Sequence, residues 1–313
     1  MTRIAYLLDA FPTWSETFVL NELRALRCRG FEPWVFTLAE GEEGVDHPGL
    51  DELLSRTFLL DTGYGRPAML GNAARGVLAG PLDWGRTERC ARILGAPYPW
   101  LHRLTSRHAR ELRRLGISRV HVHFGGPALR WGALLALEAA VPLSVTLHRY
   151  DIFAKPLPEL KKLEEVVDSW VTVSRFNKRY MEEVLGLDGD RISVIPCGVD
   201  TSFFSPGRPQ EKKPGKILTV ARLAEEKGLF HLLEAASVLR ERGLETQWVV
   251  VGDGPERERL EKDIRRRGLS GRVRLLGPGR STEVRSHLRQ AEVFALPSLS
   301  EGAPVSYMEA MAV

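Results

Sequence analysis

Along most of the chain, short apolar runs alternate with longer stretches whose apolar positions recur at helical spacing. The pattern predicts a strand over Arg3–Leu8, a loop from Asp9 to Trp14, and a helix over Glu16–Arg29 with Ser15 as its cap and Gly30 closing it. Strands are predicted at Pro33–Leu38 and Thr57–Leu60, and short helices across the Gly/Pro-punctuated stretch 63–99. An Arg-rich helix at Leu101–Gly116 leads to a strand at Arg119–Phe124, the turn Gly125-Gly126-Pro127 and a helix to Ala140. Further strands follow at Leu143–Leu147, Ser169–Val173 and Arg191–Ile195, with a helix starting at Ser174.

From Pro196 to Pro214 the periodicity stops and proline, glycine and charge take over, which marks a boundary. The alternation then restarts: strand Lys216–Ala221, helix Ala224–Arg242, strand Gln247–Val251, the turn Gly252-Asp-Gly254-Pro255 and a charged helix. A strand at Arg272–Leu276, a helix at Thr282–Gln290 and a strand at Glu292–Leu296 complete the series. Two successive βαβ series predict an α/β protein with two parallel, helix-covered sheets. The domains read as 1–200 and 215–313, joined by a linker over 201–214. Ligands of such sheets bind beyond the carboxyl ends of the strands, so chemistry is sought in the loops that follow them.

The last of these loops is the most informative. Pro297-Ser298 ends a strand, Gly302 relaxes the backbone, and Pro304 opens a helix whose N-terminus can meet a phosphate. Glu301 lies in the loop and Glu309 in the helix, so two carboxylates, which accept paired sugar hydroxyls, flank that helix start. A solvated loop glutamate and an ordinary helix glutamate would share this spacing, so the other loops must give it meaning. Arg222 and Lys227 follow a strand and bracket a turn; a forked guanidinium and a point charge together suit a diphosphate. His148 ends another strand, where a sugar contact and a structural role are equally open. His121 and His123 share a strand face, but no third metal ligand is evident, and they read as packing residues. Asp188-Gly-Asp190 precedes a strand and reads as turn chemistry.

Composition narrows the class. At 313 residues, with 43% apolar and 27% charged residues, this is an ordinary soluble globular composition, enough for about two domains. No apolar run reaches the roughly 18 residues of a spanning helix, and the N-terminus reads as a strand rather than a signal peptide. Three scattered cysteines fit a reducing, cytoplasmic setting. A net charge of +4 with acidic residues interspersed excludes a nucleic-acid footprint. The exception is the basic face Arg103, Arg107, Arg110 and Arg114, which is a solvated face of a core-packed helix or a peripheral contact with the inner face of a membrane.

Four segments together resemble the retaining GT-B glycosyltransferases of group 4: "VARLAEEKG" with Arg222 and Lys227, "VVVGDGPERERLE", the crossing "VIPCGVDTSFFSP", and "PSLSEGAPVSYMEAMA" with its two glutamates. The opening "FPTWSETFVLNEL" is similar to the branch that builds bacterial exopolysaccharides. The resemblance covers nearly all of the chain except roughly residues 40–115. It implies two Rossmann-like domains facing across a cleft, the first for acceptor and the second for donor. It also implies transfer of a hexose from a UDP- or GDP-linked sugar to a polysaccharide or lipid-linked acceptor, with retention and without metal or cofactor. By position, Glu309 would bind the ribose and Glu301 the transferred sugar, while Gly302, Ala303, Pro304 and Val305 would meet sugar and phosphate. Arg222 and Lys227 would stabilise the leaving diphosphate, His148 would touch the donor sugar, and Gly252 and Gly254 would line the donor side. Ser15, Glu16, Gly125 and Gly126 would form the acceptor-side loops. Relatives continue past the position of Val313, so the second sheet is expected to be incomplete. A nucleotide-sugar-binding fragment is therefore the alternative reading, and a sugar-nucleotide epimerase fits the charged residues poorly.

Overall fold

The computed structural model describes residues 1–47, 49–60, 99–207, 212–302 and 304–313, the segment 99–104 by its backbone. The expected short helices over 63–99 therefore fall almost wholly outside the described residues. The chain clusters into two units. The first holds Met1–Thr13, Glu22–Glu43 and Gly49–Pro196; the second holds Trp14–Asn21, Gly44–Pro48 and Cys197–Val313.

The first unit is built on a parallel seven-stranded sheet. Its strands are β1 (Thr2–Phe11), β2 (Phe31–Glu40), β3 (Thr57–Leu59), β4 (Ile117–His123), β5 (Leu143–Leu147), β6 (Ser169–Thr172) and β7 (Ile192–Val194). They run in the order β3-β2-β1-β4-β5-β6-β7. Every residue of β5 is buried, as a parallel strand covered on both faces requires. The helices are α1 (Thr17–Cys28, of which Glu22–Cys28 belong to this unit), α2 (Leu50–Leu54), α3 (Pro99–Arg114), α4 (Pro127–Ala139), α5 (Leu160–Leu163) and α6 (Arg175–Glu183). Proline opens α4 and Ala140, in the left-handed region, closes it. In α3, Thr105, Ala109 and Leu112 are buried at helical spacing while Arg107, Arg110 and Arg114 are exposed; the side chain of Arg103 lies outside the described residues.

The second unit has a parallel four-stranded sheet, β8 (Lys216–Val220), β9 (Gln247–Val251), β10 (Val273–Gly277) and β11 (Val293–Phe294), in the order β10-β9-β8-β11. Its helices are α7 (Leu229–Glu241), α8 (Arg257–Arg266), α9 (Ser281–Gln290) and α10 (Val305–Ala312). Leu229, Leu232, Leu233 and Ala236 bury one stripe of α7 in a core with Trp248, Val250 and Leu260.

Several sequence expectations need correction. β1 pairs with β2 as far as Phe11 opposite Glu40, so Asp9 belongs to a strand and not to a loop. α1 begins at Thr17, which leaves Ser15 in the preceding turn rather than at the cap. The single helix expected over Ala224–Arg242 is split: Glu225–Lys227 form a 3-10 turn, and Gly228 takes a left-handed φ of 63° before α7 starts. Gly189–Arg191 is a turn in which the Asp188 carboxylate accepts from the Asp190 amide at 3.1 Å, as its position before a strand suggested.

Trp170 on β6 is fully buried, and its indole N–H has no acceptor among the described residues. Trp170→Ala is expected to cost about 3–5 kcal/mol in denaturant unfolding. Trp170→Phe should cost clearly less, because it removes the unsatisfied donor along with some of the volume.

Candidate active site

In each sheet the strand order reverses once. β1 is followed by β2 on one side while β4 lies on the other, and β8 is likewise flanked by β9 and β11. The chain leaves such a pair in opposite directions and opens a crevice at their carboxyl ends. The candidate residues collect at these two places.

At the end of β8 the chain enters Ala221–Gly228, and at the end of β11 it enters Ala295–Pro304. The two loops lie against each other. The Leu299 amide donates to the Glu226 carbonyl at 2.8 Å, and a Cβ on Gly228 would collide with the Pro297 carbonyl. Glycine is needed at 228 both for this approach and for its backbone angle. Gly252 and Gly254 serve the same purpose at the end of the neighbouring β9, where a Cβ would strike the Ala221 and Leu223 carbonyls; packing of the loops accounts for both residues.

This packing brings Lys227 to Glu301, with Nζ 2.6 Å from Oε1, and Ser298 Oγ donates to the same oxygen at 2.7 Å. Arg222 stands exposed in the same strand-ending loop and makes no side-chain hydrogen bond or ion pair among the described residues. Pro304 precedes α10, whose first turn is Val305–Met308, and the Tyr307 hydroxyl ties the helix to the Leu296 carbonyl at 2.6 Å. Gly302 lies in the loop before it, and Ala303 is outside the described residues.

Glu309 is the one buried residue of α10. Its carboxyl has no hydrogen bond or ion pair among the described residues, and burial pushes its pKa up to about 7. A carboxylate in so dry a place needs donors, and two vicinal hydroxyls would supply them.

The first unit gathers a second group around the ends of β1, β4 and β5. Asp9 Oδ1 accepts from the Ala128 amide at 2.8 Å, so a carboxylate of the neighbouring strand occupies the N-terminus of α4. Asp151 accepts from the His148 amide at 2.9 Å; burial raises its pKa, and Asp9 adds to the effect against backbone donors at Gly125, His148 and Asp151 itself. Gly125 and Gly126 leave room for these acids, since a Cβ would lie 3.2 Å from Asp151 Cβ and 3.0 Å from Asp9 Oδ2. Phe124, between β4 and Gly125, holds a φ of 72°, a strained backbone of the kind found at binding sites. Its ring lies 4.8 Å from that of His148. Glu16 immediately precedes α1, with its carbonyl accepting from Val19 at 3.0 Å.

His121 and His123 do pack inside, but a third potential ligand is present. Glu22, one turn into α1, comes within 3.4 Å of His123 Nε2, and the donor atoms of the three side chains lie within 4.8 Å of one another. Asp9, Asp151 and Glu22 escaped the sequence reading because each is isolated in sequence; their strand-end or helix-face positions become a cluster only through the sheet order.

Two family models match the chain: "Glycosyltransferase Family 4" over residues 15–203 and "Glycosyl transferases group 1" over residues 200–313. WcaL of Escherichia coli, named as a colanic acid biosynthesis glycosyltransferase, is 30% identical over 99% of this chain and 80% of its own length. The amylovoran biosynthesis glycosyltransferase AmsK of Erwinia amylovora is 28% identical over the same shares. Among solved structures, Anabaena HepE in complex with UDP-glucose superposes with a TM-score of 0.70 at 17% identity, covering 100% of this chain and 78% of that one. The chain belongs to the family 4, group 1 glycosyltransferases and has their GT-B fold of two Rossmann-like domains.

The state of Glu309 has a measurable consequence. Its folded pKa lies above the ordinary carboxyl value, so the folded state holds the proton more tightly than the unfolded one. The stability this proton confers is complete below about 4.5 and is lost as pH rises through about 7. Glu309→Gln should therefore gain up to about 3 kcal/mol relative to wild type between pH 4.5 and pH 8, read as the difference of two denaturation series.

Proposed function

We propose that this glycosyltransferase is a retaining, metal-independent hexosyltransferase that uses a nucleotide-diphosphate sugar and passes the hexose to a polysaccharide or lipid-linked acceptor. The observation that carries the donor reading is Glu309, a buried carboxylate without partners among the described residues, on the helix that follows the Lys227–Glu301 ion pair. Glu309 takes the ribose hydroxyls and Glu301 the hydroxyls of the transferred sugar. Gly302, Ala303, Pro304 and Val305 present backbone to sugar and phosphate. As the glycosidic bond breaks, negative charge grows on the leaving phosphate oxygen, and Arg222, Lys227 and the N-terminus of α10 stabilise it. Two preorganised cations there do what a divalent metal does in other enzymes.

The N-terminal domain takes the acceptor, with Ser15, Glu16, Gly125 and Gly126 in its loops, and His148 contacts sugar. The names of WcaL and AmsK support an exopolysaccharide acceptor, and the UDP-glucose complex of HepE supports a UDP-linked donor. The enzyme works in the cytoplasm, at the inner face of the membrane that carries a lipid-linked acceptor. No helix among the described residues is long and apolar enough to cross a membrane. The basic face of α3 would hold the protein at anionic headgroups, each arginine contributing about 1 kcal/mol. Replacing Arg103, Arg107, Arg110 and Arg114 by glutamine is expected to abolish co-sedimentation with anionic vesicles, and unchanged co-sedimentation would remove the membrane role.

Calorimetric titration with UDP and GDP tests the donor site. One nucleotide should bind, and Glu309→Gln should weaken it by about tenfold or more, as expected for lost hydrogen bonds to a charged group. In the wild type, affinity should also fall as pH drops through about 7, by up to about tenfold per unit, because protonation removes the acceptor. The variant should lack this dependence. Equal affinity of wild type and variant at pH 8 would sink the assignment of Glu309.

A further inference from the structure

In the second unit, Lys227 reaches Glu301 across two loops that the strand order brings together, 74 residues apart in the chain. Its ammonium donates to Glu301 Oε1 at 2.6 Å, and the Ser298 hydroxyl donates to the same oxygen at 2.7 Å. The Lys227 and Glu301 side chains keep only 20% and 21% of their exposure, so salt screens the contact less than it screens a surface pair. Backbone fastens the loops: the Leu299 amide donates to the Glu226 carbonyl at 2.8 Å, and the Pro297 carbonyl packs where a Cβ on Gly228 would stand. The pair therefore forms through the packing of the loops and needs no ligand.

A cation that already holds a carboxylate is a poor anion site. An ammonium has three N–H donors, so a phosphate oxygen could still reach Lys227 beside Glu301. It would then lie close to a carboxylate, and repulsion between the two anions would offset much of the attraction to the shared cation. A diphosphate gains the full charge of Lys227 only when Glu301 turns to another donor. The hydroxyls of a sugar carried on that diphosphate supply one, and a diphosphate without a sugar does not. We propose that Glu301 is a built-in competitor for Lys227, so that the site favours a nucleotide bearing its sugar over the sugar-free nucleoside diphosphate. This role for Glu301 rests on the donor reading above and adds to it a choice between donor and product.

The competing account is a salt bridge that only braces the loops. A partly exposed pair contributes little to folding, and these loops are already tied by the Leu299 amide and by the Tyr307 hydroxyl, which donates to the Leu296 carbonyl at 2.6 Å. The contact also lies at the carboxyl ends of β8 and β11, where a parallel sheet binds ligands, and not in the core. The two cations of the β8 loop then differ in access. Arg222 is exposed and open to any phosphate, whereas Lys227 is released only by a ligand that also occupies Glu301. Once the sugar has gone, Glu301 returns to Lys227, and the hold on the remaining diphosphate weakens. The Ser298 hydroxyl, on the same carboxylate oxygen, keeps Glu301 turned toward Lys227.

Calorimetric titration at pH 8 with UDP and with UDP-glucose reads the competition; where GDP is the nucleotide that binds, GDP and GDP-glucose take their places. Glu301→Gln keeps the shape and removes the charge. It should bind UDP about two- to fivefold more tightly than wild type, the worth of a partly exposed ion pair. UDP-glucose should bind no more tightly, because the variant loses the carboxylate's sugar contacts as well. In a Lys227→Met background the same change at Glu301 should leave UDP affinity unchanged, since no cation is left to release. Cooperative melting of each variant confirms that it is folded. A gain that persists without Lys227, an equal gain for UDP-glucose, or no gain for UDP in Glu301→Gln would overturn the competition and leave the donor site in place. If neither nucleotide binds the folded wild type, the donor reading fails and the competition falls with it.

Discussion

The constraint on which this protein depends is that a parallel sheet has to be crossed outside itself. Each strand is reached by a helix or loop over one face, and where successive crossovers change direction, the carboxyl ends of two adjacent strands are left uncovered. In the second unit this happens between β8 and β11, and in the first between β1 and β4. Both candidate groups lie at those points. The strands supply rigid positions, while the loops supply charge, and neither group depends on residues adjacent in sequence.

The two units use charge differently. In the second, a cation and an anion, Lys227 and Glu301, neutralise each other in the free protein, while Arg222 stays exposed and Glu309 stays buried. Burying Glu309 without a partner among the described residues costs stability and fits a site shaped for a ligand rather than for folding. In the first unit the acids are satisfied internally. Asp9 sits on a helix N-terminus, Asp151 on backbone amides, and Glu22 on a tyrosine and a histidine. Such a network is rigid because every lost bond leaves a buried polar group exposed to the low dielectric of the interior.

The glycines divide in the same way. Gly228, Gly252 and Gly254 let strand-ending loops pack backbone against backbone, and Gly125 and Gly126 make room for acids. None of this requires a glycine to touch a phosphate, which is the role that motif reading tends to give it.

The sequence by itself determined the alternation of strands and helices, the parallel two-sheet class, the family, the loops in which Arg222, Lys227 and Glu301 lie, and the helix that carries Glu309. Those features are written locally: apolar periodicity reports which face is buried, and a motif reports residues a few positions apart. Element ends were less legible, because β1 extends through Asp9 only by pairing with β2, and the helix expected from Ala224 is interrupted by the approach of Pro297 to Gly228. Only the tertiary structure decided that Lys227 pairs with Glu301, that Glu309 is buried without a partner among the described residues, and that Tyr6, Glu22, His123 and His148 come together. These are contacts between residues far apart in sequence, fixed by strand order and helix docking, and no local pattern encodes which of several distant carboxylates will reach a given histidine.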